Sequence, residues 1–251
     1  MIDTQQNSEY YVRRSCAFGV LGEPERTIAD CDKALTLNPS SAVAYFNKGR
    51  AHYELDQCEH ALASFTSAIR INPEFSQAYN ARGVVYAQLQ QDKLALSDFD
   101  EAIRLEPTTS LAYANRANLY FRQNRLERAL RDMNHAVRIT HSTQAHSTRA
   151  VILNRLNLHD QALDDCDRAI ELDPVNYDAY FERGRSFMHL QRFDDAIEDL
   201  SFYIEHNPKS ANGYFIRSYA YRCMKKAREC QQDLATAISL NPSLSNLLMI
   251  N

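Results

Sequence analysis

The sequence predicts an all-α solenoid in which antiparallel pairs of helices repeat along the chain. Six of the seven prolines are spaced by 34 residues, apart from one gap of 67 residues. A fixed period of this length indicates one supersecondary unit that is stable only when it stacks on its neighbours. Between successive prolines, two stretches carry apolar residues at helical spacing. The six prolines are Pro39, Pro73, Pro107, Pro174, Pro208 and Pro242.

Seven repeats follow when each of these prolines is placed at position 32 of a 34-residue repeat. Residues 1–7 then precede the array as an expected flexible N-terminus, and residues 245–251 follow it as a short cap or tail. The predicted repeats are 8–41, 42–75, 76–109, 110–142, 143–176, 177–210 and 211–244.

Each repeat is predicted to contain two helices joined by a short polar turn. Apolar or small residues at positions 4, 8 and 11, and again at 20, 24 and 27, follow the helical period. Small residues at positions 8 and 20, such as Gly83 and Ala95, let the two helices approach closely, while Tyr86 and Phe99 fill the space beside them. The proline ends the second helix because it disfavours helical geometry in the residue before it. The expected N-caps of the following repeats are Ser41, Ser76, Asn176 and Ser210.

This pattern resembles the tetratricopeptide repeat family, whose repeats carry an aromatic at position 4, a small residue at 8, an aromatic at 11, alanine at 20, a bulky residue at 24, alanine at 27 and proline at 32. The resemblance covers residues 8–244. It implies a right-handed superhelix of antiparallel helix pairs. It also implies a non-catalytic scaffold or adaptor that binds another protein, or a peptide segment, on its concave face.

In this family, positions 2, 5, 6, 9, 12 and 13 of the first helix line the concave face. Asparagine can both donate to and accept from an extended peptide backbone, and aromatic side chains can form pockets for apolar anchors. Each phenylalanine could equally pack against the next first helix. Some members clamp the acidic tails of heat-shock chaperones with a lysine at position 5, which every repeat of this chain lacks. The resemblance implies as peptide-binding residues Phe46, Asn47, Arg50, Tyr53, Asn80, Asn115, Asn118, Arg122, Asn154, Arg155, Phe181, Arg185, Phe215 and Tyr219.

Charged residues at positions 7 and 23 form a second pattern. Position 7 is arginine or lysine in all seven repeats, and position 23 is aspartate in six. Both positions precede a core position by one residue, so antiparallel helices turn both side chains to the same flank. We therefore expect partly buried pairs such as Arg82 with Asp98, within a repeat or across its seam; the alternative is an anion-binding stripe of arginines. Repeat 2 departs at both positions, with Lys48 and Ser64, which favours pairing within the repeat.

Repeats 5 and 6 break the pattern. Segment 140–149 is polar and His141 replaces the preceding proline, so we expect a soft joint there. In repeat 6, Tyr203 replaces alanine at position 27, and Gly213 replaces the alanine that it should face. A large residue gained beside a side chain lost predicts volume compensation in a close-packed seam. The alternative is that Tyr203 and Phe202 point outward as an interface.

The C-terminal end is the third break. Leu244, Leu247 and Leu248 have helical spacing, and Met249 and Ile250 add apolar bulk. These residues form either a short cap over repeat 7 or an exposed apolar end that associates with another copy. The second possibility gives the alternative function: a self-assembling structural protein, homo-oligomeric through its C-terminal end.

Composition and motifs argue against several other classes of protein. The net charge of −4 argues against a nucleic-acid partner, and no apolar run is long enough to predict a membrane span. The six cysteines form no CxxC pair, so we expect free thiols and a cytoplasmic protein. With no phosphate loop, HExxH motif or GxSxG elbow, we expect no catalytic residue and no cofactor. Because His135, His141 and His146 lack the spacing and partners of a zinc site, we expect no metal.

Overall fold

A computed structural model of the chain describes residues 4–245, with side chains from residue 7 onward. Over this range the chain folds into fourteen α-helices and no strand, so the predicted all-α solenoid of helix pairs is confirmed. The helices are α1 (Thr4–Val20), α2 (Pro24–Leu37), α3 (Ala42–Glu54), α4 (Cys58–Ile71), α5 (Ser76–Gln88), α6 (Asp92–Leu105), α7 (Ser110–Arg122), α8 (Leu126–Ile139), α9 (Thr143–Arg155), α10 (His159–Leu172), α11 (Tyr177–His189), α12 (Phe193–His206), α13 (Ala211–Cys223) and α14 (Ala227–Leu240).

Contacts divide the chain into two compact units. Unit 1 ends at Gln123 and contains α1 to α7, and unit 2 begins at Asn124 and contains α8 to α14. Within each unit the two helices of a repeat pack against each other, and the second helix also packs against the next first helix. First helices contact one another in order, from α1 to α7 and from α9 to α13, whereas consecutive second helices of the described chain make no comparable contact. The first helices therefore form the inner layer of each unit.

Close packing at position 8 brings the paired helices together. A Cβ atom built on Gly83 would lie 2.8 Å from Cε1 of Phe99, and one built on Gly184 would lie 2.9 Å from Cγ of Leu200. Both large partners are essentially inaccessible to solvent. In repeat 5 a larger residue, Ala150, faces the smaller Cys166. A small residue at position 8 therefore faces a buried residue at position 24 in each of these repeats, as a close-packed interior requires.

The predicted arginine–aspartate pairs are confirmed within the repeats. Arg82 donates from Nε and Nη2 to the two carboxylate oxygens of Asp98, each at 2.8 Å. Asp98 is 5% exposed and the arginine is partly buried, so the pair lies at the edge of the core. A two-pronged bond of this kind needs the planar fork of arginine. The same geometry joins Arg14 to Asp30, Arg149 to Asp165, Arg183 to Asp199 and Arg217 to Asp233.

The third donor of several arginines, Nη1, binds the preceding repeat, which the sequence had not indicated. It reaches the residue at position 25 of that repeat, an acceptor on the second helix. Repeat 2, whose Lys48 has no aspartate at position 23, keeps only this contact, at 2.6 Å to Asp32. Each basic residue therefore ties its own repeat to the one before it. The Nη1 bonds are Arg82 to Thr66, Arg116 to Asp100, Arg149 to Asn134, Arg183 to Asp167 and Arg217 to Ser201.

The turn between the two helices has one conformation in all seven repeats. The residue at position 15 has a positive φ. This conformation has no steric cost for Gly22, but it is unfavourable for residues with a Cβ, such as Gln191 and Lys225. The N–H of Arg192 donates to the carbonyl of Phe187, and that of Gln191 donates to the carbonyl of Met188. These two bonds are the Schellman closure of a helix C-terminus. The other left-handed residues are Asp56, Gln90, Asn124 and Asn157.

Helix starts follow the prediction except at one serine. Ser41, Asn176 and Ser210 are N-caps whose side chains accept a hydrogen bond from the backbone, as expected. Ser76 was predicted wrongly, because it is the first helical residue of α5 and Phe75 occupies the N-cap position. Its position in the repeat is one later than that of the three true caps. The Ser76 hydroxyl instead donates to a carboxylate oxygen of Glu106.

The irregular repeats have partly predictable structures. A Cβ on Gly213 would lie 3.2 Å from the ring of Tyr203, so the expected volume compensation is confirmed.

At the C-terminal end, Leu244 is buried in a short 3-10 turn after α14. The predicted roles of Leu247 and Leu248 concern the segment 246–251, which lies outside the described residues. The N-terminal helix begins at Thr4. The soft joint at 140–149 stays a prediction.

Candidate functional site

The predicted binding residues belong to the first helices, which form the inner layer of each unit. We call the solvent-facing side of α1, α3, α5 and α7 the inner surface of unit 1, and that of α9, α11 and α13 the inner surface of unit 2. Each of these surfaces contains a sizeable depression, and half of the predicted residues line one or the other.

The depression in unit 1 has a volume of about 350 Å³ and lies across α3, α5 and α7. Asn118 and Tyr53 are exposed there, and their side chains make no hydrogen bond within the described residues. Both side chains are therefore available to a ligand. The lining residues are Tyr53, Val84, Ala87, Gln88, Phe99, Asn115, Asn118, Leu119 and Arg122, four of which the resemblance had implied.

Other polar groups around the unit 1 depression bind one another. Asn115 donates from Nδ2 to Oδ1 of Asn80, at 2.9 Å. Arg122 donates from Nη2 to the carbonyl oxygen of Ala87, at 3.2 Å, and to Oδ1 of Asp92, at 3.3 Å. The positive charge of Arg122 is thus balanced by a carboxylate. These bonds fix the rim in position while leaving Asn118 free.

The depression in unit 2 is larger, at about 630 Å³, and lies between α11 and α13. Tyr219, 49% exposed, stands at its edge. Phe193 contributes from the start of α12, a position outside the first-helix pattern, so no repeat-based rule could have indicated it. The lining residues are Arg185, Met188, His189, Gln191, Phe193, Phe215, Ile216, Tyr219 and Cys223, of which Arg185, Phe215 and Tyr219 had been implied.

Charges around the unit 2 depression are unevenly balanced. Arg185 donates from Nη1 to both carboxylate oxygens of the buried Glu182, each at 3.0 Å. Arg222 lies over the ring of Tyr219, 4.5 Å from its centroid, and among the described residues it has no carboxylate partner. The charge of Arg222 is therefore uncompensated.

Two histidines stack beside this depression. The rings of His159 and His189 are nearly parallel, with centroids 4.2 Å apart. Burial, followed by the charges of His189 and Arg185, lowers the pKa of His159 below its ordinary value. His159 is therefore neutral at physiological pH, and its Nδ1 lies 3.1 Å from Oδ1 of Asn154.

Four of the predicted residues face the packing between helices instead. Asn47 is buried and donates to Oγ of Ser15, at 3.0 Å. Asn154 is also buried and donates from Nδ2 to Glu182. Phe46 and Phe181 stack on aromatic rings of second helices or of the following turn. These four side chains connect neighbouring helices. Of the remaining three, Arg50 and Arg155 are exposed, and Asn80 is half-buried and accepts the hydrogen bond from Asn115.

No helix in the described part of the chain is both long and apolar enough to cross a bilayer. Within the same residues, no three histidine, cysteine, aspartate or glutamate side chains converge as ligands for a metal ion.

Family models described as tetratricopeptide repeat or TPR repeat match most of the chain. A TPR repeat model matches residues 49–90, and tetratricopeptide repeat models match 76–109 and 151–221. A further tetratricopeptide repeat model matches 93–142 and 114–177. Together these four models cover residues 49–221 without a gap, which is more than half of the sequence.

Solved structures with the same fold share little sequence with this chain. PilF of Pseudomonas aeruginosa matches with a TM-score of 0.76 at 15% identity, over 89% of this chain and 98% of its own. The APC/C complex Cut9–Hcn1 matches with 0.72 at 16% identity, over 92% of this chain and 46% of its own. YrrB, described as a TPR protein with an unusual peptide-binding site, matches with 0.64 at 22% identity, over 72% of this chain and 94% of its own. At these identities the matches establish the fold.

Proposed function

The chain belongs to the tetratricopeptide repeat family, and from this premise we propose that it is a non-catalytic scaffold that holds a segment of another protein against its inner surfaces. The observation that carries the proposal is the presence of two depressions on the first-helix layer, lined by exposed aromatic and polar side chains. The relative YrrB, whose description names a peptide-binding site, supports the same type of ligand.

The unit 1 depression has the chemistry that an extended peptide needs. The free amide of Asn118 can donate to a peptide carbonyl and accept from a peptide N–H at the same time. The ring of Tyr53, 36% exposed, offers a flat surface for an apolar side chain. Because Arg122 is balanced by Asp92, this depression adds little net charge to the interaction.

Affinity capture from a lysate of the native cells tests the proposal. The wild-type chain is compared with the double variant Tyr53→Ala plus Asn118→Ala, whose two sites are exposed and should not affect folding. The matched control is Leu94→Ala plus Lys93→Ala, two exposed changes on the second helix α6. We expect the inner-surface variant to lose partners that the control retains. Equal recovery of every partner by all three proteins would contradict the proposal.

Self-assembly through the C-terminal end is the alternative function. Leu240, near the end of α14, is 40% exposed, and an apolar segment follows it in the sequence. Light scattering over a range of protein concentrations separates the two functions. A mass that rises with concentration and returns to the monomer value on removal of residues 246–251 favours assembly, and a constant monomer mass favours the scaffold.

A further inference from the structure

We propose that the depression in unit 2 binds a peptide segment in which a large apolar side chain is adjacent to an acidic residue. The apolar side chain fills the depression, and the carboxylate pairs with Arg222. This inference rests on the proposed function and specifies the ligand of one of its two sites.

The walls of the depression provide the apolar half of this recognition. Met188, Phe193, Phe215, Ile216 and Tyr219 surround the space. A volume of about 630 Å³ falls within the range of about 300–1,000 Å³ that is typical of ligand pockets. Aromatic walls supply a large contact area and methionine adapts its shape to the ligand, so both suit a large apolar anchor.

The charges at the rim provide the acidic half. None of the residues that line the depression is acidic, whereas Arg185 and His189 are basic. Glu182 already compensates Arg185, but nothing in the described chain compensates Arg222. Arg222 does not itself line the depression, but its guanidinium lies over the ring of Tyr219, which does. A carboxylate next to the anchor would find an oriented, unpaired cation there.

Unit 1 lacks this combination and serves as an internal comparison. Its depression is about half as large, and its arginine, Arg122, already binds Asp92. Gln88 donates to a second carboxylate, that of Asp56, at 3.0 Å. The preference for an acidic ligand therefore belongs to unit 2 alone.

A library of short peptides, capped at both ends and randomised at the central positions, tests the ligand class. We expect the wild-type chain to enrich peptides that place aspartate or glutamate next to phenylalanine, leucine or methionine. Enrichment of peptides without an acidic residue would overturn the inference and leave the proposed function standing. Enrichment of no peptide at all would count against both.

The contribution of Arg222 is measured with a selected peptide and its counterpart in which glutamine replaces the acidic residue. Arg222→Gln should weaken binding of the acidic peptide by about 1.5- to 5-fold, the value of an exposed ion pair, and should leave binding of the glutamine peptide unchanged. Tyr219→Ala should weaken both peptides by about five- to tenfold. Equal effects of Arg222→Gln on the two peptides would overturn the pairing. Thermal unfolding of each variant shows that the fold is retained.

Alkylation with N-ethylmaleimide locates the bound peptide. Cys223 lines the depression and is exposed, while Cys16 is an exposed thiol in unit 1. We expect the acidic peptide to slow modification of Cys223 and not of Cys16. Protection of Cys16 alone would place the peptide elsewhere and overturn the inference. Protection of Cys223 that rises with protein concentration in the absence of peptide would also overturn it, because a second copy would then be the occupant.

Discussion

Replacing Gly83 by alanine should destabilise the protein, although alanine is the better helix former. The added Cβ would lie 2.8 and 2.9 Å from two ring atoms of Phe99 and 3.2 Å from Cβ of Asp98. The ring is fully buried, and it belongs to a rigid side chain with no flexible end that could move aside. The helices would have to separate to admit one methyl group.

The net effect follows from two opposing contributions. Overpacking of a dense core costs about 1–3 kcal/mol, and exchanging glycine for alanine within a helix gains about 0.5–1 kcal/mol. Gly83→Ala should therefore lower the free energy of unfolding by about 1 kcal/mol, the difference between the midpoints of these two ranges. Gly19 provides a matched control on α1, because its Cβ would lie 3.9 Å from the nearest atom, Oγ1 of Thr27. Gly19→Ala should raise the free energy of unfolding, by about 0.5 kcal/mol.

Urea denaturation followed by far-ultraviolet circular dichroism measures both changes. The free energies of unfolding of the two variants can be compared directly if the slope of free energy against urea concentration is the same for both. The opposite signs are the decisive result, since helix propensity alone predicts a gain at both sites. A stability equal to or above that of the wild type for Gly83→Ala would refute the close approach at position 8.

Three other changes test separate features of the fold. Gln191→Gly should raise the free energy of unfolding by about 0.5–1 kcal/mol, because glycine adopts the left-handed turn without steric cost; urea denaturation would contradict the turn if no gain appeared. Asp98→Ala should lower the free energy of unfolding by about 3 kcal/mol, because Arg82 would keep a partly buried charge without a carboxylate partner. A loss of free energy below about 0.5 kcal/mol would show that the pair is exposed. The Arg14 guanidinium holds the pKa of Asp30 below its ordinary value. The stability that this carboxylate adds is fully present above its unfolded pKa of about 3.9 and is lost as pH falls through the lower folded pKa. The advantage of wild type over Asp30→Asn should therefore shrink as acid denaturation series are taken below the unfolded pKa; an advantage that stays constant at all pH values would contradict this.

The period of the sequence was sufficient to predict the helices and their pairing. A residue's position in the repeat decides which side of a helix it occupies, so the Arg82–Asp98 pair followed from spacing alone. Position does not decide which of several polar neighbours a side chain will bind. Asn154 and Asn118 both lie on first helices, yet Asn154 is buried against Glu182 while Asn118 faces solvent.

Two other features of the structure could not be predicted from a single sequence. The left-handed turn at position 15 accepts Gly22 and Asn157, but also Gln191 and Lys225, which have no preference for that geometry. The packing of the two flanking helices imposes the left-handed conformation at position 15, so the type of residue found there does not predict it. The unit 2 depression likewise depends on Phe193, which belongs to a second helix and is brought to the site only by the packing of α12.

The Nη1 bonds give the array a direction. In repeats 2 to 7 the basic residue at position 7 binds backward, to the second helix of the repeat before it. In repeat 1, Nη1 of Arg14 instead donates to the hydroxyl of Tyr10 in its own helix. A repeat duplicated inside the array would therefore carry the basic side chain that joins it to the repeat before it. It would need only a polar acceptor sixteen residues upstream, as Asp167 is for Arg183. Lengthening by whole repeats thus preserves every ionic contact, whereas an insertion of any other length would leave a guanidinium facing the wrong residue.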